Sequence, residues 1–95
     1  MNEQEHLLTC LVEECTEISQ DVCKMLRFGL DDVNPLTNES NRDRLQKELA
    51  DLEGVIQLLE ECTDIDFTID RSDIFAKKDK VKRYMEYARE RGTLV

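Results

Sequence analysis

Residues 7–28 read LLTCLVEECTEISQDVCKMLRF. Apolar side chains at Leu7, Leu8, Leu11, Cys15, Ile18, Val22, Met25 and Leu26 recur at intervals of three and four, tracing one face of an α-helix. With Leu11 at zero on a wheel of about 100° per residue, the arc runs from roughly −40° (Leu7, Met25) to roughly +60° (Leu8, Leu26). Three acids crowd one edge of it. Glu14 falls at roughly −60°, Asp21 at roughly −80° and Glu17 at roughly −120°. Glu13 lies almost opposite and faces water. A helix that gathers carboxylates beside its own core needs something to neutralise them.

The same reading extends along the chain. The first helix is predicted from about Asn2 to Phe28 and closed by Gly29. Residues 30–40, LDDVNPLTNES, carry the only proline and read as a loop. Asn41 or Ser40 can cap a second helix that runs to about Cys62 through Leu45, Leu49, Leu52, Ile56 and Leu59. TDIDFTID (63–70) alternates polar and apolar residues, but a lone strand has no partner, so an extended connector is expected. Ser72 is the expected cap of a third helix, from about Asp73 to Arg91, closed by Gly92. The fold class is therefore all-α, one domain over residues 1–95. Its thin core calls for completion by a second subunit, as an antiparallel helical bundle with a four-helix core.

Bulk composition narrows the function classes. A net charge of −9 on 95 residues argues against direct binding of a nucleic-acid backbone. No apolar run reaches membrane-spanning length and the acidic N-terminus is no signal peptide, so a soluble cytoplasmic protein is expected. Cys10, Cys15, Cys23 and Cys62 form no CxxC pair or zinc spacing. They read as reduced, partly buried thiols, with Cys15 and Cys62 at or near apolar-face positions. His6, the only histidine, reads as a surface residue near a frayed end.

The second helix repeats the acidic device. With Leu52 at zero, Glu48 falls at roughly −40° and Asp51 at roughly −100°. Carboxylates three residues apart repel, and four of them beside a core are unfavourable without a proton or a cation. Oxygen-only ligands suit a hard ion such as Mg²⁺, with Mn²⁺ as a substitute. The bland alternative is that these acids only mark where the stripe meets solvent.

The order Glu13-Glu14-Cys-Thr-Glu17 on one helix and Glu48-Leu-Ala-Asp51 on the next resembles the MazG-type members of the all-α nucleoside triphosphate pyrophosphohydrolases. That superfamily includes dimeric dUTPases and phosphoribosyl-ATP pyrophosphatases. The resemblance covers about residues 5–60 well and the last helix loosely, and the short chain with RFGLDD is similar to phage-encoded forms. It implies Mg²⁺-dependent cleavage of an NTP or dNTP to the monophosphate and pyrophosphate, in a homodimer or a dimer of dimers. Glu14, Glu17, Glu48 and Asp51 would be the metal ligands, and Glu14 or Glu17 would take a proton from the attacking water. One departure is the stretch between Glu17 and Glu48, which is slightly longer than the family's usual gap. The extra length falls in the loop carrying Pro35 and bears on substrate choice.

A triphosphate needs further cations. The third helix supplies Lys77, Lys78, Lys80, Lys82 and Arg83, and Lys80 with Arg83 resembles the family's basic KxxR element. The plain alternative is a solvated basic face. Lys24 either contacts phosphate or pairs with Asp21. Asn41 either reads a base edge or ribose or serves as an N-cap, and Phe28 either stacks on a base or anchors the loop. Asp21 is a further candidate contact to the metal or its ligands. The rival to an enzyme is an acidic helical module that dimerises or binds a basic partner.

Overall fold

Asn2 opens the first helix with a reciprocal cap: its side chain accepts from the Glu5 N–H at 2.8 Å while its own N–H donates to Glu5. In the computed structural model, which describes residues 1–95, this helix is α1 (Glu3–Phe28). It ends at Gly29, whose φ of 100° is a left-handed value that a side chain would resist. Ser40 caps α2 (Asn41–Cys62), accepting from the Asp43 N–H at 3.1 Å. α3 spans Arg71–Glu90, and Gly92 follows it at φ 79°. There is no strand, only an isolated bridge between Val33 and Ser40, and the chain is all-α.

Two local expectations are corrected. Asp70, not Ser72, caps α3: its carboxylate accepts from the Ser72 N–H at 2.8 Å, so the helix begins at Arg71. A carboxylate two residues upstream meets the free N–H groups and the positive helix end better than a hydroxyl inside the first turn. Cys15, Cys23 and Cys62 are exposed rather than partly buried, while Cys10 is half-buried, and all four thiols are free. The extended connector before α3 is found as expected.

α1 and α2 pack as an antiparallel hairpin. Glu3 lies beside Cys62, Glu17 beside Glu48, and Asp21 within 3.9 Å of Arg44, so the paired positions run in opposite directions. The connecting loop is tied down rather than slack. Asn41 Nδ2 donates to the Gly29 carbonyl at 2.8 Å, the Arg42 N–H donates to Leu30 O at 2.9 Å, and Arg42 meets Asp31 at 3.1 Å.

The two helices face each other along the acidic edge of each stripe. On α1 the buried residues are Leu7 and Asp21; on α2 they are Glu48 and Leu59. The far edges stay open, with Leu26 82% and Leu49 50% exposed. On the wheel both lie at roughly +60°, away from the acids. α3 packs on neither α1 nor α2. Only 4 of 95 residues are buried, and the radius of gyration is 17.1 Å, against about 12 Å for a compact domain of this length.

Candidate metal centre

The stripe edge that α1 turns toward α2 carries Glu14 and Asp21, and the matching edge of α2 carries Glu48. One carboxylate oxygen from each of Glu14, Glu17 and Glu48 lies within 4.8 Å of the others. Oxygens around one Mg²⁺ at about 2.1 Å are roughly 3 to 4.2 Å apart, and the spread of up to 4.8 Å among these three is close to that spacing. The donor set is also the right kind, all hard oxygen. Glu14 Oε2 and Glu48 Oε2 are buried without a hydrogen-bond partner. Both are buried acceptors that a shared proton or a cation could satisfy.

The electrostatics register the crowding. Desolvation first, then the charges of Asp51 and Glu48, hold the Glu14 carboxyl above the ordinary glutamate value. For Glu48 the neighbouring Glu17 carboxyl, with which it can share a proton, is the main cause. Burial and the Glu17 charge add to it, and the Arg44 guanidinium works against it. Three of the four predicted ligands thus converge. Asp51 stands exposed at the margin, its charge felt at Glu14 but its oxygens outside the tight group. Glu13 is exposed, as its wheel position predicts.

Beside the acids lies a cavity of about 190 Å³ in which α1, the loop and the start of α2 meet. Lys24 and Asn41, two predicted substrate contacts, line it together with Asp21, Arg44, Asn34 and Thr37. Asn41 is not the cap of α2; its amide holds Gly29, and so shapes the cavity wall. Lys24 makes no ion pair with Asp21. Arg44 takes that place, its Nε 3.2 Å from Glu48 and 3.9 Å from Asp21.

The remaining candidates lie elsewhere. Lys80 and Arg83 share a separate surface depression on α3 with Tyr84 and Tyr87. Arg83 pairs with Asp79 at 3.2 Å, and Lys80 sits 5.9 Å from the Tyr84 ring centroid. Within one chain they do not join the acidic cluster. Phe28 is exposed, with the Arg27 guanidinium over its ring at 5.0 Å, and His6 is exposed. Sequence reading missed Arg44 as the bridge between cavity and acids. Its position one turn before Glu48 was the available signal. No protein-family model, curated protein or solved structure matches the chain.

Proposed function

We propose that the chain is a Mg²⁺-dependent nucleoside triphosphate pyrophosphohydrolase of the MazG-like type, cleaving an NTP or dNTP to the monophosphate and pyrophosphate. The observation that carries this reading is the convergence of Glu14, Glu17 and Glu48 with two buried, unpartnered oxygens between α1 and α2. Glu14, Glu17 and Glu48 would hold the ion, with Asp51 completing the set by a side-chain rotation. When bound there, Mg²⁺ or Mn²⁺ supplies neutralisation of phosphate oxygens and a more acidic water. Glu17 is exposed and so accessible to receive the proton of the attacking water, with Glu14 the alternative acceptor. Lys24 and Arg44 stand on the same side to meet phosphate.

The working unit in this proposal is a homodimer whose four-helix core joins two α1–α2 hairpins. The accessible surface of 7841 Å² exceeds the roughly 5,700 Å² expected for a compact monomer of this mass. The excess is more than a standard interface takes from each partner, about 800 Å². A second copy would cover the open edges at Leu26 and Leu49 and the unpacked α3, and Lys80 and Arg83 could then approach phosphate across the interface.

The decisive assay mixes protein, Mg²⁺ and each of the eight common NTPs and dNTPs, and measures pyrophosphate. Release with at least one substrate is expected, falling on the order of a hundredfold or more in Glu48→Gln, the size of losing one preorganised electrostatic contact. No release with any of the eight, and no thermal shift with Mg²⁺ or Mn²⁺, would favour the acidic dimerisation or partner-binding module instead. A fully active Glu48→Gln variant would remove Glu48 from the ligand set.

A further inference from the structure

Along α1 the residues beside the core divide into two seams. Leu7, Leu11, Glu14, Ile18, Asp21 and Met25 follow spacings of four and three, and all six are buried or half-buried on the side that meets α2. Leu8, Val12, Cys15, Ser19, Val22 and Leu26 repeat those spacings one residue later, about 100° further round the helix. This second seam is open. Val12 is 65%, Val22 39% and Leu26 82% exposed, and Cys15 and Ser19 are exposed as well. In a four-helix bundle each helix has two neighbours at roughly a right angle, so the seam faces the place of a further helix. Within the chain nothing fills that place, since α3 packs on neither α1 nor α2.

The order of side chains along the open seam is symmetric. Cys15 and Ser19, the two small ones, stand at its centre, with a valine beyond each and a leucine at each end. Reversed about the point midway between Cys15 and Ser19, the seam matches itself. Leu8 then falls opposite Leu26, Val12 opposite Val22, and Cys15 opposite Ser19. A two-fold contact between identical chains requires this property, residue i meeting j while j meets i. Charge agrees with it. No seam residue is charged, so two chains of net charge −9 can meet there without opposing like charges. On the flank, Arg27 makes no ion pair within its own chain. In the reversed copy Glu5 falls within roughly 3 Å of it along the axis.

Resting on the proposed homodimer, we infer that two copies dock α1 against α1, antiparallel along this seam, with the two-fold axis passing between Cys15 and Ser19. The small central residues let the helix axes approach to about 8.5–10 Å. With Cα atoms about 2.3 Å from each axis, Cys15 of one copy lies roughly 4.5–6 Å, Cα to Cα, from Ser19 of the other. A disulfide spans a Cα separation of about 4.4–6.8 Å, so this pair of positions is bridgeable. The two copies of Cys15, like the two copies of Ser19, are more than about 7 Å apart and are not.

The test is Ser19→Cys treated with a small-molecule disulfide. The new thiol and Cys15 of the other copy form one bridge, and the reagent leaves as two small thiols. A reducible band at twice the chain mass of 11.1 kDa is expected. It should be at least about tenfold stronger than in Ser19→Cys combined with Cys15→Ser, with peptide mapping placing the link between positions 15 and 19. Val12→Glu, at an exposed position, gives a second readout. It sets a carboxylate opposite Val22 and should return the sedimenting mass to one chain, with helical circular dichroism unchanged.

Equal crosslinking after Cys15→Ser, a dimer without the bridge (as when α1 faces α2 of the other copy), or a dimeric Val12→Glu overturns the seam. Each of these leaves the dimer and the pyrophosphohydrolase reading in place. A wild type that is monomeric at every concentration overturns seam and dimer together, while pyrophosphate release still judges the enzyme.

Discussion

At the scale of the residue, the titration of two glutamates is the most direct handle on the acidic cluster. Glu14, through desolvation and the charges of Asp51 and Glu48, and Glu48, chiefly through Glu17, hold their protons above the ordinary value of 4.5. Unfolding returns both to that value, so above 4.5 the folded chain binds more protons than the unfolded one. Their stability contribution is full below 4.5 and is lost as pH rises through the raised values. Glu39, Asp66 and Asp70 have lowered values and act in the opposite sense, losing stability only as pH falls below their ordinary range. In chelator, the melting temperature is therefore expected to decline as pH climbs above 4.5. Mg²⁺ bound as proposed would compete with protons for the same oxygens, so its stabilising shift should grow across that window. An equal Mg²⁺ shift at both ends of the window would break the link between ion and cluster, and Glu48→Gln should weaken it.

At the scale of the element, the α1–α2 hairpin rests on few apolar contacts. Leu59 is the one fully buried side chain, at 0% exposure. Leu59→Ala should cost about 2–5 kcal/mol by urea unfolding, through lost transfer energy and the cavity left behind. In a chain this sparsely packed, that is enough to erode the helical circular dichroism at rest. Ser40→Ala removes the α2 cap and should cost only about 1 kcal/mol. If the two variants proved equally mild, the hairpin would not be held where Leu59 sits. The acids make this economy understandable: Asp21 and Glu48 occupy buried positions that a pure packing helix would give to Leu or Ile.

At the scale of the whole molecule, the chain extends over 48 × 41 × 21 Å, with α3 standing clear of the hairpin. Sedimentation equilibrium is expected to give twice the 11.1 kDa chain mass, with a melting temperature that rises with protein concentration. Leu49→Glu combined with Leu26→Glu places charges on the open stripe edges and should return the mass to that of one chain. A wild-type monomer at every concentration would leave those edges without the proposed cover.

The sequence by itself determined the three helices, because a repeat of three and four sustained over many residues has one regular solution. It also determined the helix ends at Gly29 and Gly92, where the chain needs positive φ. That Glu14 and Glu17 on one helix and Glu48 on the next each lie on the acidic edge of their own stripe was legible too. Wheel positions carry no information on which edge of a stripe turns inward. Tertiary structure decided that the acidic edges meet, burying Asp21 and Glu48 and leaving Leu26 and Leu49 exposed. It alone put Arg44 between Asp21 and Glu48 and folded the loop into a polar cavity. Those placements depend on the register between two helices and on loop hydrogen bonds, which are contacts between residues far apart in the chain.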